Sequence, residues 1–335
     1  MLPVCVERRK HLMRDTNKKI LEVRDLKKQF KTRYGILTAV AGVTFQINEG
    51  EIYGIVGESG SGKTTVGSMI TGMYKSDGGE ILYKGQDINK PAVQRSRESK
   101  RAIQLVFQDP GGSLNPRQTI RQILSLPLLL HGRAKKGPAL EDKIVQTIKK
   151  VGLPASYLDK YPQAIGGGEK QLVCIARALA PEPSFIVLDE PTSALDVSIQ
   201  AKITNKLLEL QKEFKLSYLF ITHNLCLVRN LVHRTAIMYL GQLCEMASTE
   251  DFFTEPLHPY TKMLLSSIPV ISEAEEKYKP ITVRSIGEIP NPINRPTGCG
   301  FNTRCPFARD ICKDREPEMI EVKDGHFVSC HLADT

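Results

Sequence analysis

The chain has 335 residues, of which 41% are hydrophobic and 25% are charged, and its formal net charge is +9. This length allows about two domains, and the composition excludes an intrinsically disordered protein. No apolar run approaches the ~18–20 residues of a membrane-spanning helix, and the charged N-terminus lacks the apolar stretch of a secretory signal, so we expect an intracellular protein.

Residues 1–19 form a basic N-terminal tail. Between Met1 and Arg33 the chain carries eleven Lys or Arg residues against four Asp or Glu residues. Such a segment is either solvated or in contact with an anionic partner, for which lipid and nucleic acid are the candidates.

Strands and helices then follow in the order of an α/β protein. Three strands are predicted within residues 20–56, where apolar residues alternate or run together between Gly, Asn and Asp. A helix over residues 64–73 and a strand over residues 105–107 come next.

Residues 109–180 are predicted to be mainly helical, with interruptions at Pro116, Pro127 and Gly152. Two apolar runs that are typical of buried parallel strands follow at residues 185–188 and 218–221. An amphipathic helix is predicted between them, at residues 197–214. From Glu255 onward Pro and Cys increase and the periodicity fades.

A phosphate loop is predicted at residues 57–64, Gly-Glu-Ser-Gly-Ser-Gly-Lys-Thr, which fit the pattern G-x-x-x-x-G-K-[ST]. The glycines let backbone N–H groups converge on phosphate oxygens. Lys63 can reach the β- and γ-phosphates, and Thr64 can bind Mg²⁺. The alternative is an ordinary glycine-rich turn between a strand and a helix.

An acidic pair ends the apolar run at residues 185–188. Asp189 would lie at the carboxyl edge of the sheet, where ligands bind in open α/β folds, and can orient a metal ion. Glu190 is then placed to polarise an attacking water. Together with the phosphate loop, this pair predicts a nucleoside triphosphatase.

The remaining motifs are similar to those of the ABC-transporter ATPases over about residues 20–250. Their order along the chain is Gln108 after Phe107, Ile165-Gly-Gly-Gly-Glu169 at the start of a helix, Ser193-Ala-Leu-Asp196, and His223 after a strand. Three further segments resemble the oligopeptide and dipeptide importer branch of this family, at Val106–Arg117, Glu255–Leu265 and Gly298–Leu332.

The resemblance implies a P-loop RecA-like ABC ATPase core of the α/β class with an antiparallel β subdomain. This core would comprise residues 20–108 and 172–254. A helical subdomain at residues 109–171 would dock on membrane subunits, and a small Cys-rich C-terminal extension would occupy residues 255–335.

The resemblance also implies a role for each motif residue. Tyr34 would stack on adenine, with Phe30 as a weaker candidate and plain packing as the alternative. Glu190 would be the general base, while Gln108 and His223 would contact the γ-phosphate or the water. Mg²⁺ would be held by Thr64, Gln108 and Asp189. The phosphates would be bound by Gly57, Ser59, Gly60, Ser61, Gly62, Lys63, Thr64 and Thr65.

ATPases of this family form head-to-tail dimers, in which each ATP lies between the phosphate loop of one subunit and the signature segment of the other. Asp196 would lie at that interface. The family's signature reads Leu-Ser-Gly-Gly-Gln, but here Gly166, Gly167, Gly168 and Glu169 occupy the last four positions. Because Gly166 has no hydroxyl and Glu169 adds a negative charge, we expect a heterodimer with a homologous ATPase and one degenerate site. The alternative is that both sites hydrolyse ATP.

Four of the eight cysteines cluster in the C-terminal extension, at Cys299, Cys305, Cys312 and Cys330. Their spacing is not that of a zinc finger. Four thiolates suit an iron–sulfur cluster, and some importer ATPases of the resembling branch carry a 4Fe–4S cluster. Zinc and uncoordinated thiols are the alternatives. Three further cysteines are predicted to be core residues, namely Cys174, Cys226 and Cys244.

These features predict the ATP-hydrolysing subunit of a peptide importer, peripheral on the cytoplasmic face of the cell membrane. Its partners would be a second ATPase, two transmembrane permease subunits and an extracellular substrate-binding protein. Its cargo would be a dipeptide, a longer peptide, nickel or a sugar. The alternatives are a mainly ATP-binding regulatory subunit and a soluble ABC ATPase acting on nucleic acid, although no specific nucleic acid is expected.

Overall fold

The computed structural model describes residues 18–268, 283 and 286–333, so almost all of the predicted basic tail lies outside the described residues. Within these residues the strands are Lys19–Thr32 (β1), Gly35–Asn48 (β2), Ile52–Val56 (β3), Gly78–Tyr83 (β4), Gln86–Asp87 (β5), Ile103–Val106 (β6), Phe185–Asp189 (β7), Ser217–Thr222 (β8), Arg234–Tyr239 (β9), Gln242–Ser248 (β10), Ile320–Lys323 (β11) and His326–Val328 (β12).

The α-helices of the same residues are Lys63–Thr71 (α1), Arg97–Ala102 (α2), Pro110–Ser113 (α3), Ile120–Leu130 (α4), Pro138–Lys150 (α5), Gly167–Leu179 (α6), Val197–Phe214 (α7), Leu225–Leu231 (α8), Thr249–Thr254 (α9), Pro259–Ser266 (α10) and Ile311–Asp314 (α11). In the described part of the chain, none of them is long and apolar enough to span a membrane.

The strands form two sheets. The larger has the order β11-β12-β10-β9-β3-β8-β7-β6, and its five strands from β9 to β6 are parallel. Strands β3, β7 and β8 are buried along their whole length, as expected for the centre of a parallel sheet covered on both faces. The smaller sheet, β2-β1-β4-β5, is antiparallel.

The parallel core matches the sequence pattern closely. The apolar runs at residues 185–188 and 218–221 are β7 and β8, and the amphipathic helix at residues 197–214 is α7. Asp196 caps α7, because its carboxylate accepts a hydrogen bond of 3.0 Å from the backbone N–H of Ile199. The predictions of these two strands and of this helix are confirmed.

The predicted interruption at Pro127 is wrong, because α4 continues through it to Leu130. The helix begins with a capping box in which Thr119 and Gln122 exchange side-chain and backbone hydrogen bonds. Its buried face, which includes Leu124 and Leu128, packs in the core on both sides of the proline. Tertiary packing therefore outweighs the single backbone hydrogen bond that Pro127 removes.

The C-terminal residues extend the larger sheet. Strand β12 pairs with β10, and β11 completes a hairpin at the edge. The two strands have only four and three residues, which is too short for a period to be recognised in the sequence. A buried carboxylate joins these elements, because Glu245 accepts hydrogen bonds from the backbone N–H groups of Leu257 and His258 and lies 2.8 Å from Nε2 of His326.

Glu245→Ala is expected to lower the free energy of unfolding by about 3 kcal/mol, since it leaves buried donors without acceptors. Chemical denaturation of the full-length chain measures the change. The matched control is Lys323→Ala, which removes an exposed ion pair with Asp251 and Glu255 and is expected to destabilise the chain much less than Glu245→Ala does. Equal losses in the two variants would contradict the interpretation of Glu245 as the joint between sheet and extension.

Candidate active site

The phosphate loop joins β3 to α1 and packs against its neighbours through backbone. At Gly57 a Cβ atom would lie 2.1 Å from the carbonyl oxygen of Met238. At Gly62, whose φ is +106°, it would lie 2.2 Å from the carbonyl oxygen of Ala39. Both positions therefore require glycine, for the close approach and, at Gly62, also for the left-handed backbone.

Lys63 lies under the loop with its ammonium group directed at loop oxygens. Its Nζ donates hydrogen bonds of 2.8 Å to the carbonyl oxygens of Gly57 and Glu58, and lies 3.4 Å from the Ser61 hydroxyl. Burial lowers the pKa of Lys63, while the nearby carboxylates act in the opposite direction. The cation is thus held by weak neutral acceptors, which an anionic ligand can replace.

Two oxygen groups that could bind a divalent cation meet at the end of the loop. The Thr64 hydroxyl donates a 3.1 Å hydrogen bond to Oδ1 of Asp189. Burial raises the pKa of Asp189 to about 6, and the charge of Glu190 adds to this, while the Thr64 hydrogen bond opposes it. A hydroxyl and a partly desolvated carboxylate are the oxygen donors that Mg²⁺ prefers, so these residues fit that ion.

Glu190 is held from two sides. Nε2 of Gln108 donates a 3.0 Å hydrogen bond to one carboxylate oxygen, and Nδ1 of His223 lies 3.1 Å from the other. The backbone of Glu190 has φ +46°, which is strained for a residue with a side chain. This strained and doubly held carboxylate can orient a water molecule and take its proton.

These groups converge because they follow neighbouring parallel strands. Gln108 comes after β6, Asp189 and Glu190 lie at the end of β7, His223 comes after β8, and the phosphate loop comes after β3.

Tyr34 lies apart, at the turn between β1 and β2. The residue is 71% exposed, and the guanidinium of Arg33 lies 4.6 Å from the centre of its ring.

The signature residues form a second group at the start of α6. Gly166 is the N-cap and Glu169 lies in the first turn, where its charge favours the helix dipole. A Cβ atom on Gly166 would be 2.6 Å from Oε2 of Glu169, so the carboxylate fills the space that a side chain at position 166 would use. Gly167 packs against Leu195, and Gly168 packs against Ile199. The exposed Asp196 lies between these two partners along the chain.

The four C-terminal cysteines line one cavity, together with His258. Burial raises the pKa of Cys299 and of Cys330 to about 11, and the neighbouring thiols contribute. Across residues 18–268, 283 and 286–333, however, no three His, Cys, Asp or Glu side chains are grouped closely enough to hold a metal ion. The predicted metal centre is therefore not confirmed.

One cysteine prediction is wrong. Cys174 and Cys244 are buried as expected, but Cys226 is exposed. It is the second residue of α8, whose buried residues Leu225, Val228 and Leu231 repeat every three positions. Cys226 lies on the other face of the helix. The apolar segment is too short for its sequence to show which face is buried.

Two residues that the sequence did not identify contact the phosphate loop. The Arg304 guanidinium pairs with the Glu58 carboxylate, and the Tyr260 hydroxyl accepts a hydrogen bond from the Glu58 backbone N–H. They are more than 200 positions away along the chain. A pattern within a short window therefore contains no sign of these contacts.

Two protein families match the chain. The family described as "ABC transporter" matches residues 40–193, and "Oligopeptide/dipeptide transporter, C-terminal region" matches residues 244–312. The first match contains the phosphate loop, the signature residues and the acidic pair. The second contains Tyr260, Arg304 and three of the four clustered cysteines.

Two curated relatives are similar in sequence to this chain along most of its length. The oligopeptide transport ATP-binding protein AppF of Bacillus subtilis is 46% identical over 322 residues, which cover 93% of this chain and 97% of the relative. The oligopeptide transport ATP-binding protein OppF of Salmonella typhimurium is 41% identical over 329 residues, covering 96% and 98%.

Two solved structures of ATP-binding cassettes are similar in fold to about 70% of this chain. The dimeric ATP-binding cassette MJ0796, in a post-hydrolysis state with ADP and Pi, has a TM-score of 0.62 at 28% identity and covers 68% of this chain and 98% of its own. The cassette MJ1267 in its ADP conformation has a TM-score of 0.60 at 25% identity, with coverage of 71% and 96%.

The raised pKa of Asp189 predicts a pH dependence of Mg²⁺ binding. Above about pH 6 the carboxylate is ionised and available, and below it protons compete with the metal. The apparent affinity for Mg²⁺ in the presence of a non-hydrolysable ATP analogue is expected to fall about tenfold per pH unit below pH 6. Titration with Mg²⁺ between pH 5 and pH 8 measures it.

Asp189→Asn is the control for this titration, because the amide has no charge to lose. Its Mg²⁺ affinity is expected to be low at every pH, with no break near pH 6. A break that persists in the variant would assign the titration to another group.

Proposed function

Because this chain belongs to the ATP-binding subunits of the oligopeptide and dipeptide ABC transporters, we propose that it powers peptide uptake by hydrolysing ATP at the site of Lys63, Asp189 and Glu190. It is an ATPase, converting ATP and water to ADP and phosphate. The observation that carries the proposal is the Glu190 carboxylate, which is held between Gln108 and His223 beside the phosphate loop.

ATP binding would exchange internal contacts for contacts with phosphate. Lys63 leaves the carbonyl oxygens of Gly57 and Glu58 for the β- and γ-phosphates, and backbone N–H groups of the loop and of the start of α1 bind the remaining oxygens. Ser59, Gly60, Ser61, Gly62 and Thr65 contribute to this cradle. Tyr34 is exposed enough to stack on adenine once Arg33 moves from its ring.

Hydrolysis then depends on positioning and on charge compensation. Glu190 orients the water and accepts its proton, while Gln108 fixes the carboxylate and reports the presence of the γ-phosphate. His223 and Lys63 offset the charge that develops on the phosphate oxygens. Thr64, Asp189 and Gln108 would hold Mg²⁺, which supplies Lewis-acid stabilisation of the same charge when it is bound.

The chain would act in a head-to-tail heterodimer with a homologous ATPase, peripheral on the cytoplasmic face of the membrane. Two permease subunits, docked on residues 109–171, and an extracellular substrate-binding protein would complete the importer. The exposure of Gly166, Gly167 and Asp196 supports this arrangement. The oligopeptide names of AppF and OppF favour peptides as cargo.

The altered signature supports two unequal ATP sites. The partner's ATP would meet Gly166, which has no hydroxyl, and the carboxylate of Glu169, which occupies the space of the missing side chain. A lost hydrogen bond to a charged phosphate weakens binding by about 1.5–3 kcal/mol, and the negative charge adds repulsion. The site that uses this chain's Glu190 keeps all its catalytic groups.

We propose that the cysteine-lined cavity would hold a 4Fe–4S cluster rather than a zinc ion. Four thiols surround the cavity without converging on one point, whereas zinc needs four ligands within bonding distance of a single ion. Burial raises the pKa of Cys299, Cys305 and Cys330, and bound iron would offset this effect by stabilising the thiolates. A bound cluster would supply folding free energy to a region with little regular structure.

Glu190→Gln is expected to reduce ATP hydrolysis by the assembled importer at least about 100-fold, because the general base is lost. The equivalent substitution in the partner ATPase is expected to leave at least about half of the activity. Phosphate release by the purified complex in liposomes measures both, with peptide-loaded binding protein present. Glu209→Gln, at an exposed glutamate paired with Lys206, is the matched control and is expected to retain full activity.

Similar losses from the two active-site substitutions would contradict unequal sites. A Glu190→Gln complex that keeps full activity would instead support a mainly ATP-binding, regulatory role for this chain.

Anaerobic purification is expected to yield a coloured chain with about four iron atoms, and Cys305→Ser is expected to lose both colour and iron. Visible absorbance and elemental analysis measure the two properties. Cys226→Ser is the matched control, because that thiol is exposed and outside the cavity. A folded chain without colour or iron would rule out the cluster.

A further inference from the structure

Glu58 is an acidic residue within a loop that binds anions. Its side chain is 25% exposed, and it belongs to the loop whose backbone would bind the phosphates of the nucleotide. An uncompensated negative charge there would repel ATP and attract the ammonium group of Lys63. The loop can bind phosphate strongly only if another group neutralises this charge.

Arg304 from the C-terminal extension supplies that compensation. Its Nη1 lies 2.7 Å from Oε2 of Glu58, and its Nη2 lies 3.1 Å from Oε1, which is the bidentate geometry of a strong pair. The Arg304 side chain is only 7% exposed, and its guanidinium stacks near the rings of Tyr239 and Phe301. The pair is therefore weakly screened by solvent.

Tyr260 holds the backbone of the same loop residue. Its hydroxyl accepts a 3.0 Å hydrogen bond from the Glu58 N–H. The ring is fully buried, with its centre 4.6 Å from that of Tyr239 and 5.3 Å from that of Phe301. Tyr260 and Arg304 thus project from one aromatic cluster, which belongs to the sheet edge and the extension.

Every polar group of Glu58 is engaged. Its N–H bonds to Tyr260, its carboxylate pairs with Arg304, and its carbonyl oxygen accepts from Lys63. We propose that Arg304 and Tyr260 are positioning residues for ATP, through which the C-terminal extension sets the shape and charge of the phosphate loop. The proposal rests on the assignment of residues 57–64 as the ATP-phosphate site.

The extension reaches the loop from the wall of the cysteine-lined cavity. Arg304 and Cys305 are consecutive, and both backbone N–H groups donate to the carbonyl oxygen of Phe301. The same turn therefore carries one residue that contacts the phosphate loop and one that faces the cavity.

The test is a double-mutant cycle on the full-length chain and on the assembled importer. Arg304→Ala is expected to weaken binding of a fluorescent ATP analogue about tenfold and to raise KM for ATP similarly, with kcat changed less than about twofold. Glu58→Gln alone is expected to leave affinity within about threefold. Adding Glu58→Gln to Arg304→Ala is expected to restore most of the affinity, because no unpaired carboxylate remains.

Three further variants make the test decisive. Arg304→Lys is expected to lose about half as much ATP affinity as Arg304→Ala, since the positive charge stays but the bidentate contact is lost. Tyr260→Phe removes only the hydroxyl and is expected to weaken binding about threefold. Arg315→Ala, at an exposed arginine of the extension that pairs with Glu318, is the matched control and is expected to bind ATP normally.

Unchanged affinity in Arg304→Ala, or a double variant that binds no better than Arg304→Ala, would overturn the proposal. If Arg304→Ala does not fold, unchanged affinity in both Arg304→Lys and Tyr260→Phe would overturn it. Lys63→Ala separates this outcome from failure of the ATP site, because normal ATP binding in that variant would reject the phosphate-loop assignment itself.

Discussion

The phosphate loop depends on backbone contacts that leave no room for side chains. At Gly57 and Gly62 the chain passes so close to the carbonyl oxygens of Met238 and Ala39 that any Cβ atom would collide with them. The loop is thereby held against β9 and β2, elements from both sheets, and its position relative to the parallel core is set. Lys63 can then project under the loop toward the acidic ends of the neighbouring strands. The catalytic geometry follows from this contact, because a displaced loop would separate Lys63 from Asp189.

The core of the fold and the convergence of most candidate catalytic residues could be predicted because their signals are local. A buried parallel strand is a short apolar run, and the carboxyl ends of such strands meet at one edge, so Asp189, Glu190 and His223 are placed by their positions after β7 and β8. The contact between Arg304 and Glu58 joins residues 246 positions apart, and no short-range pattern encodes it. Pro127 and Cys226 were misjudged for a related reason, since packing by the rest of the protein decides whether a proline is tolerated and which helix face is buried.

Gly166 and Glu169 are best understood together. A signature helix needs an acceptor for the N–H groups of its first turn and a shape that admits phosphate. Here the carboxylate of Glu169 folds back over Gly166, filling the volume of the absent side chain while favouring the helix dipole. The charge of Glu169 favours the start of α6 through the helix dipole, but in the proposed dimer it would lie where the partner's nucleotide approaches. Structural stability and nucleotide recognition therefore make opposite demands on position 169.

The contact between residue 58 and residue 304 also has a consequence for biosynthesis. During translation the phosphate loop is made almost 250 residues before the arginine that neutralises it, and the tyrosine that holds its backbone emerges only slightly earlier than that arginine. Until then a ribosome-bound or truncated cassette carries an exposed carboxylate in its phosphate site. Nascent chains would thus bind nucleotide weakly until the extension has been made and has docked. In this protein, a mature ATP site would report that synthesis has passed Arg304.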